Sequence, residues 1–190
     1  MKTTLALLAA LLATATLSPA QTETYEIDPV HSTVAFKIRH LGISWVNGNF
    51  AEITGTVAFD PAKPENSSAE IVVKATSIDT RNAKRDTHLK SADFFDIEKH
   101  AALSFKSTKV RKLEGNVYEV AGDFSILGVV KPLTVRFTDL GTATGMQGEA
   151  RRGGETSFKI KRSEFGMTKN VGPVGDDVEV TLAFSGVKKS

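Results

Sequence analysis

The 190-residue chain contains no cysteine. It therefore has no disulfide, no thiolate nucleophile and no Cys-type zinc site. Nor does either charge dominate: 24 Lys and Arg stand against 22 Asp and Glu, a formal net charge of +2. The two signs are interleaved, and a field that weak gives no grip on nucleic acid. No aromatic–basic stripe for stacking bases is present either. The one long apolar run, Leu5 to Leu12, falls short of the roughly 20 residues that span a bilayer. There is no phosphate loop, dinucleotide fingerprint, HExxH pattern or Gly-x-Ser-x-Gly elbow. Asp176-Asp177 and Asp139 fall in polar turns, which suits solvation better than acid–base work. Little in the chain supports catalysis.

What is present begins with a leader. Met1-Lys2 gives a basic start, Leu5 to Leu12 an apolar stretch, and Ser18-Pro19-Ala20 small residues ahead of polar Gln21-Thr22-Glu23. That is the layout of a cleaved secretory signal peptide over residues 1–20, not of an anchor. Residues 21–190 then form one exported, periplasmic domain of ordinary size. Without disulfides it must rely on core burial and hydrogen-bonded strands.

The dominant period along the chain is two. Val34, Phe36, Ile38 and His40 share one face; Tyr118, Val120, Phe124 and Ile126 share another; so do Leu133, Val135 and Phe137, and so do Phe158, Ile160 and Arg162. Alternation of this kind buries one face of each strand. Eight long strands are expected between Thr24 and Val187, separated by Asp-Pro, Asn-Gly and Gly-rich turns. Gly48 and Gly55 suggest bends where a sheet curls. The expected fold is all-β, an eight-stranded antiparallel barrel, with a two-sheet sandwich as competitor. Residues 80–92 break the period and predict a short inserted helix, N-capped by Asp79 or Thr80. Gly141 to Gly154 is expected to be a mobile loop.

Several residues are candidates for chemistry. His40 shares parity with Phe36 and Ile38 and reads as an interior histidine rather than a metal ligand. Arg85, Asp86 and His88 form the densest polar group, either aimed at a ligand headgroup or stabilising their own helix. Arg162 shares the face of Phe158 and Ile160, and an inward guanidinium needs a partner; Asp86, Glu164 and Asp123 are the candidates. Eleven phenylalanines, mostly of inward parity, make either an ordinary core or the lining of a cavity, since eight-stranded barrels are just wide enough to hold one small ligand. Small inward residues (Gly55, Ala75, Ser107, Gly122) would leave the room.

These motifs assemble into a recognisable set. Tyr25-x-Ile27-Asp28-x-x-His31-Ser32, Gly55-x-Val57-x-Phe59-Asp60-Pro61, Arg85-Asp86-x-His88-Leu89-x-Ser91-x-Asp93-Phe94-Phe95, Gly122-x-Phe124-x-Ile126-x-Gly128 and Arg162-x-x-Phe165-Gly166 occur in order across the mature chain. In order and spacing the chain resembles the YceI family of exported bacterial proteins. The resemblance implies a lipocalin-like barrel with a helix beside it, enclosing an apolar channel for a polyisoprenoid or another long-tailed amphiphile. It implies carriage or storage, not enzymatic activity, and no cofactor beyond the bound lipid itself, such as an isoprenoid quinone precursor. The chain departs from the family at Lys99-His100, where an aromatic-Pro pair is common, and at Arg81, where glycine is frequent.

Headgroup contacts are expected from His40, Arg85, Asp86, His88 and Arg162. The tail lining is expected from Phe36, Ile38, Phe105, Phe124, Ile126, Val135, Phe137 and Phe158. The expected partner is a hydrophobic small-molecule lipid, with no nucleic acid and no permanent membrane anchor; edges near the barrel seam offer a surface for a homodimer. Two alternatives remain open: an enzyme modifying such a lipid, with His88 or His40 as acid–base and Asp86 as its orienter, and a non-binding stress-related barrel.

Overall fold

The computed structural model describes residues 22–189, so the leader read over residues 1–20 lies outside the described residues. Eleven strands and one helix follow in order: β1 (Glu23–Ile27), β2 (Thr33–His40), β3 (Ser44–Phe50), β4 (Ile53–Phe59), β5 (Ser68–Lys74), β6 (Ile78–Asp79), α1 (Ala83–Lys90), β7 (Ala102–Lys112), β8 (Val117–Ile126), β9 (Val129–Thr144), β10 (Ala150–Lys161) and β11 (Val174–Lys188). Among the described residues no helix is long and apolar enough to cross a membrane.

The eleven strands make eight staves. β1 and β2 lie end to end along β11, β1 against Gly186 to Lys188 and β2 from Val174 to Ala183. β4 pairs with β1 while β3 pairs with β2, so these two form the second stave. β5 pairs with β4 and β6 with β3, giving the third. β7 to β11 supply one stave each. Every pairing between these strands is antiparallel and the last stave meets the first, so the sheet closes into an up-and-down barrel, with the short β6 paired to β3 alone. The sandwich competitor is thereby excluded.

Each break between collinear strands is bridged by a serine. Across the β1–β2 break, Asp28 N donates to Ser185 O at 2.9 Å, and the Ser32 hydroxyl accepts from Ser185 N at 3.0 Å. Across the β3–β4 break, Ala51 N reaches Ser77 O at 3.1 Å and Glu52 N reaches Ser77 Oγ at 3.0 Å. A buried backbone group left without a partner is costly, so these hydroxyls let the staves kink without losing the ladder.

Glycine has two uses in the wall. Gly55 takes φ +141°, and a Cβ there would run into the Glu70 carbonyl on the neighbouring strand. Gly48, Gly122 and Gly154 lie under the rings of Phe36, Phe105 and Phe137. The room beside Gly122 therefore goes to a phenyl ring, not to empty space. Ser107 serves backbone geometry, accepting from Ala69 N at 2.8 Å where the β7–β8 register shifts.

Two expectations are corrected. Gly141 to Gly154 is not a loop: β9 and β10 run through it as a paired ladder, with a register shift at Gly153/Gly154 and a tight turn from Gly145 to Gly148. The cap of α1 is Asn82, whose side chain accepts from Arg85 N at 3.0 Å; Asp79 instead accepts from Arg81 N and fixes the turn before it.

Two outcomes are expected. Gly55→Ala should destabilise the barrel by about 1–3 kcal/mol, the cost of forcing a side chain into that backbone region, read as a lower urea midpoint at unchanged m-value. The second concerns acid. Arg151 beside Asp28, and Lys188 beside Glu23, hold these carboxyls below their ordinary values. A depressed folded pKa contributes stability above the unfolded value and loses it as pH falls through the folded one. Tm should therefore be flat from neutral pH down to about 5 and fall below about 4. Asp28→Asn should lower the neutral Tm and flatten the acid limb.

Candidate functional site

The barrel is hollow. A cavity of about 410 Å³ runs along its axis, lined almost entirely by apolar side chains. All eight residues of the expected tail lining (Phe36, Ile38, Phe105, Phe124, Ile126, Val135, Phe137 and Phe158) border it. Inward residues such as Phe36, Val120, Phe124, Phe137 and Val180 are only partly buried, because the surface they expose is turned to the cavity. The rings brace one another edge to face, Phe124 against Phe158 and Phe165 at 6.0 and 5.6 Å, an arrangement that favours aromatic pairs.

One end is sealed. Phe59 and Tyr118 meet edge to face at 5.2 Å and form the floor. Beneath them lies Arg152, its guanidinium 3.6 Å from the centre of the Phe59 ring and 6.0 Å from that of Tyr25. Asp139 grips it with two bonds, 3.0 and 2.6 Å long. Asp139 is thus not a solvated turn carboxylate but the counter-ion of a buried arginine. A bidentate, largely desolvated pair stacked on an aromatic face is among the stronger polar arrangements available. Arg152 escaped the sequence reading because it sits in the stretch taken for a loop.

The other end carries the charged lining groups. α1 contributes Arg85, His88 and Leu89; the turn after it adds Phe94 and Phe95; the β10–β11 connection adds Arg162, Met167 and Asn170; and β2 ends there in His40. Phe95 meets Phe50 edge to face at 5.7 Å and docks this segment on the barrel.

The five expected headgroup residues fare differently. Arg85 lines the cavity with its guanidinium fixed, Nε donating to Thr80 Oγ1 and Nη2 to Thr80 O, each at 2.7 Å. Of its five N–H donors three stay uncommitted. Asp86 does not border the cavity; it accepts from Thr80 N and Oγ1 and locks the start of the helix. His88 borders the cavity but is not oriented by Asp86. Its Nε2 lies 3.0 Å from Asp93 Oδ2, and its ring stands edge-on to Phe94 at 5.0 Å. Asp93 also meets Lys169 at 3.4 Å, tying the helix to the β10–β11 connection, and the bond from His88 holds its carboxyl below the ordinary value. Asp93 was missed because a partner five residues on, past a helix end, belongs to no helical period.

Arg162 is buried as parity predicted, but none of the three expected carboxylates holds it. Four backbone carbonyls do: Gly175, Met167, Lys169 and Val174, at 2.8 to 3.1 Å. Burial lowers its pKa, and the nearby Asp176 opposes that shift. Arginine remains charged regardless, and here it fixes the loop at the cavity rim. His40 is exposed at the same rim rather than interior, the pleat having carried it past the last ring of the wall. His31 pairs with Asp28 at the other end, at 2.6 Å.

The barrel and its sequence recur among known proteins. The sequence model of the YceI-like domain matches residues 25–185. A UPF0312 protein of Azotobacter vinelandii is 36% identical over 191 residues, covering 100% of both chains. The crystal structure of the Campylobacter jejuni YCEI protein is 30% identical, covers 80% of this chain and 90% of that one, and superposes with a TM-score of 0.72. A polyisoprenoid binding domain from Saccharophagus degradans shares the fold at 13% identity, with a TM-score of 0.68 over 87% of this chain and 98% of that one. In motif order, barrel architecture and full-length similarity alike, the chain belongs to the YceI-like domain family.

Proposed function

We propose that this protein binds one long-chain lipid of the isoprenoid type, tail in the barrel and head at the α1 end, and carries or stores it in the periplasm. One observation carries the reading: a 410 Å³ apolar cavity is sealed by Phe59 and Tyr118 at one end and bears its charged lining at the other. A tail entering such a space gains roughly 0.8 kcal/mol per buried methylene, offset by the loss of its own freedom. Tail burial gives affinity with little discrimination. The head discriminates.

Arg85 is the group best suited to that task. It is held rigid by Thr80, keeps unbonded N–H groups, and has no carboxylate within 4.0 Å among the described residues. A preset guanidinium of this kind favours a head rich in oxygen, a phosphate above all. His88, held by Asp93, and the rim histidine His40 line the same cavity. The Saccharophagus degradans domain of the same fold is described as polyisoprenoid-binding, which makes isoprenoids the first ligands to try.

Protein purified from its host should carry an extractable long-chain molecule, visible by native mass spectrometry. Val180→Trp, which fills the cavity, should leave the protein folded and empty; equal lipid content in both would sink the reading. Arg85→Met should weaken binding of farnesyl phosphate by about tenfold or more, the usual worth of bonds to a charged group. Binding of farnesol, which has the same tail, should change less than about twofold.

A further inference from the structure

A long-chain lipid partitions into membrane rather than water, so a bilayer is the natural source from which the mouth would load. Resting on the carrier reading, the structure indicates which surface does so.

Turn chemistry at the rim runs against local rules. Leu41-Gly42 joins β2 to β3 with φ of 53° and 71°, and Ile43 N donates to His40 O at 3.2 Å. That is the geometry of a primed hairpin turn, where Asn or Asp before Gly is favoured. A leucine in the left-handed region is disfavoured, and burial does not compensate it. Leu41 is 58% exposed and Ile43 83%. Leu41 N donates to Pro173 O at 2.7 Å, which brings the β10–β11 connection alongside, with Val171 44% exposed. These tips adjoin His40 and Asn170, both of which line the cavity. The apolar surface is therefore continuous with the mouth.

The charge around it is positive. Arg39, Arg81, Lys84 and Lys90 have no carboxylate within 4.0 Å among the described residues, and Arg39 stacks 4.1 Å from the centre of the Trp45 ring. Asp79, Asp86 and Glu98 are the carboxylates on the same segment without a cation, and with Arg85 counted among the unpaired cations a positive surplus remains. Exposed apolar tips ringed by cations match the boundary of an anionic bilayer, the tips entering the headgroup layer and the cations meeting phosphate.

We infer that the Leu41–Ile43 turn and Val171 form a docking face by which the barrel mouth seats on an anionic lipid bilayer. The sealed end, closed by Arg152 and Asp139, offers no such route to the cavity.

The test is co-sedimentation with vesicles of phosphatidylglycerol and phosphatidylethanolamine, against vesicles of phosphatidylcholine alone. Wild-type protein should sediment with the anionic vesicles, more so at low salt. The double variant Leu41→Asn, Ile43→Ser should partition about tenfold less or worse, through loss of two inserting side chains. Its Tm should equal or exceed the wild-type value, because asparagine suits the backbone at position 41. Wild-type protein left in the supernatant, or a variant that sediments equally well, overturns the docking face. Uptake of monomeric farnesyl phosphate separates the two readings: both proteins should bind it alike. Failure of both to bind counts against the carrier, whereas unchanged sedimentation counts against the docking face.

Discussion

The structure depends on one constraint: the hydrogen-bonded ring must close. A cavity lined by phenylalanine and valine gains free energy by collapsing, since collapse restores the dispersion contacts that an empty space lacks. An unbroken antiparallel ladder resists that collapse. β11 makes it possible by serving two partners in succession, β2 along its first part and β1 along its last. Ser32 and Ser77 carry the ladder over the kinks. The wall is thereby stiff enough to keep its rings apart, and the void is a product of backbone geometry rather than of any one side chain.

Two buried arginines then give the barrel its polarity. Arg152 works through a carboxylate and an aromatic face, so its charge is neutralised and its end is shut. Arg162 hydrogen-bonds to carbonyls, with Asp176 near but not bonded to it, so it orders a loop without forming an ion pair. The same residue type thus seals one end and shapes an opening at the other, according to what surrounds it. Arg85, held by Thr80 alone, adds a guanidinium with free N–H groups at that opening.

Much of this was legible in the sequence, for a physical reason. Period-two alternation is a local property, and it placed Phe36, Phe124, Val135 and Phe158 on the inside without any knowledge of topology. Barrel closure could be argued from repeated bends, and the inserted helix from the loss of alternation. Partnerships were less legible. Arg162 was correctly sent inward, yet its partners are carbonyls, which no residue letter announces. Asp86 and Asp93 flank the same histidine in sequence, and only the path of the chain after the helix decides that Asp93 reaches it. His40 kept the right parity but lies one step beyond the wall. Glycines misled twice, at Gly122, where a ring fills the gap, and at Gly153-Gly154, where a bulge in a continuous strand passed for a loop.

The staves are not equally knit. β10 and β11 are matched over Arg151 to Lys161, whereas β3 and β6 share only Asn49–Asp79 and Phe50–Ile78. A seam of two residue pairs costs less to open locally than one matched along a whole hairpin. The sparsest seam lies beside the helix and the rim, where a local opening costs least. The fold has placed its most yielding stitches next to the doorway, where admission to the cavity needs no wholesale unfolding.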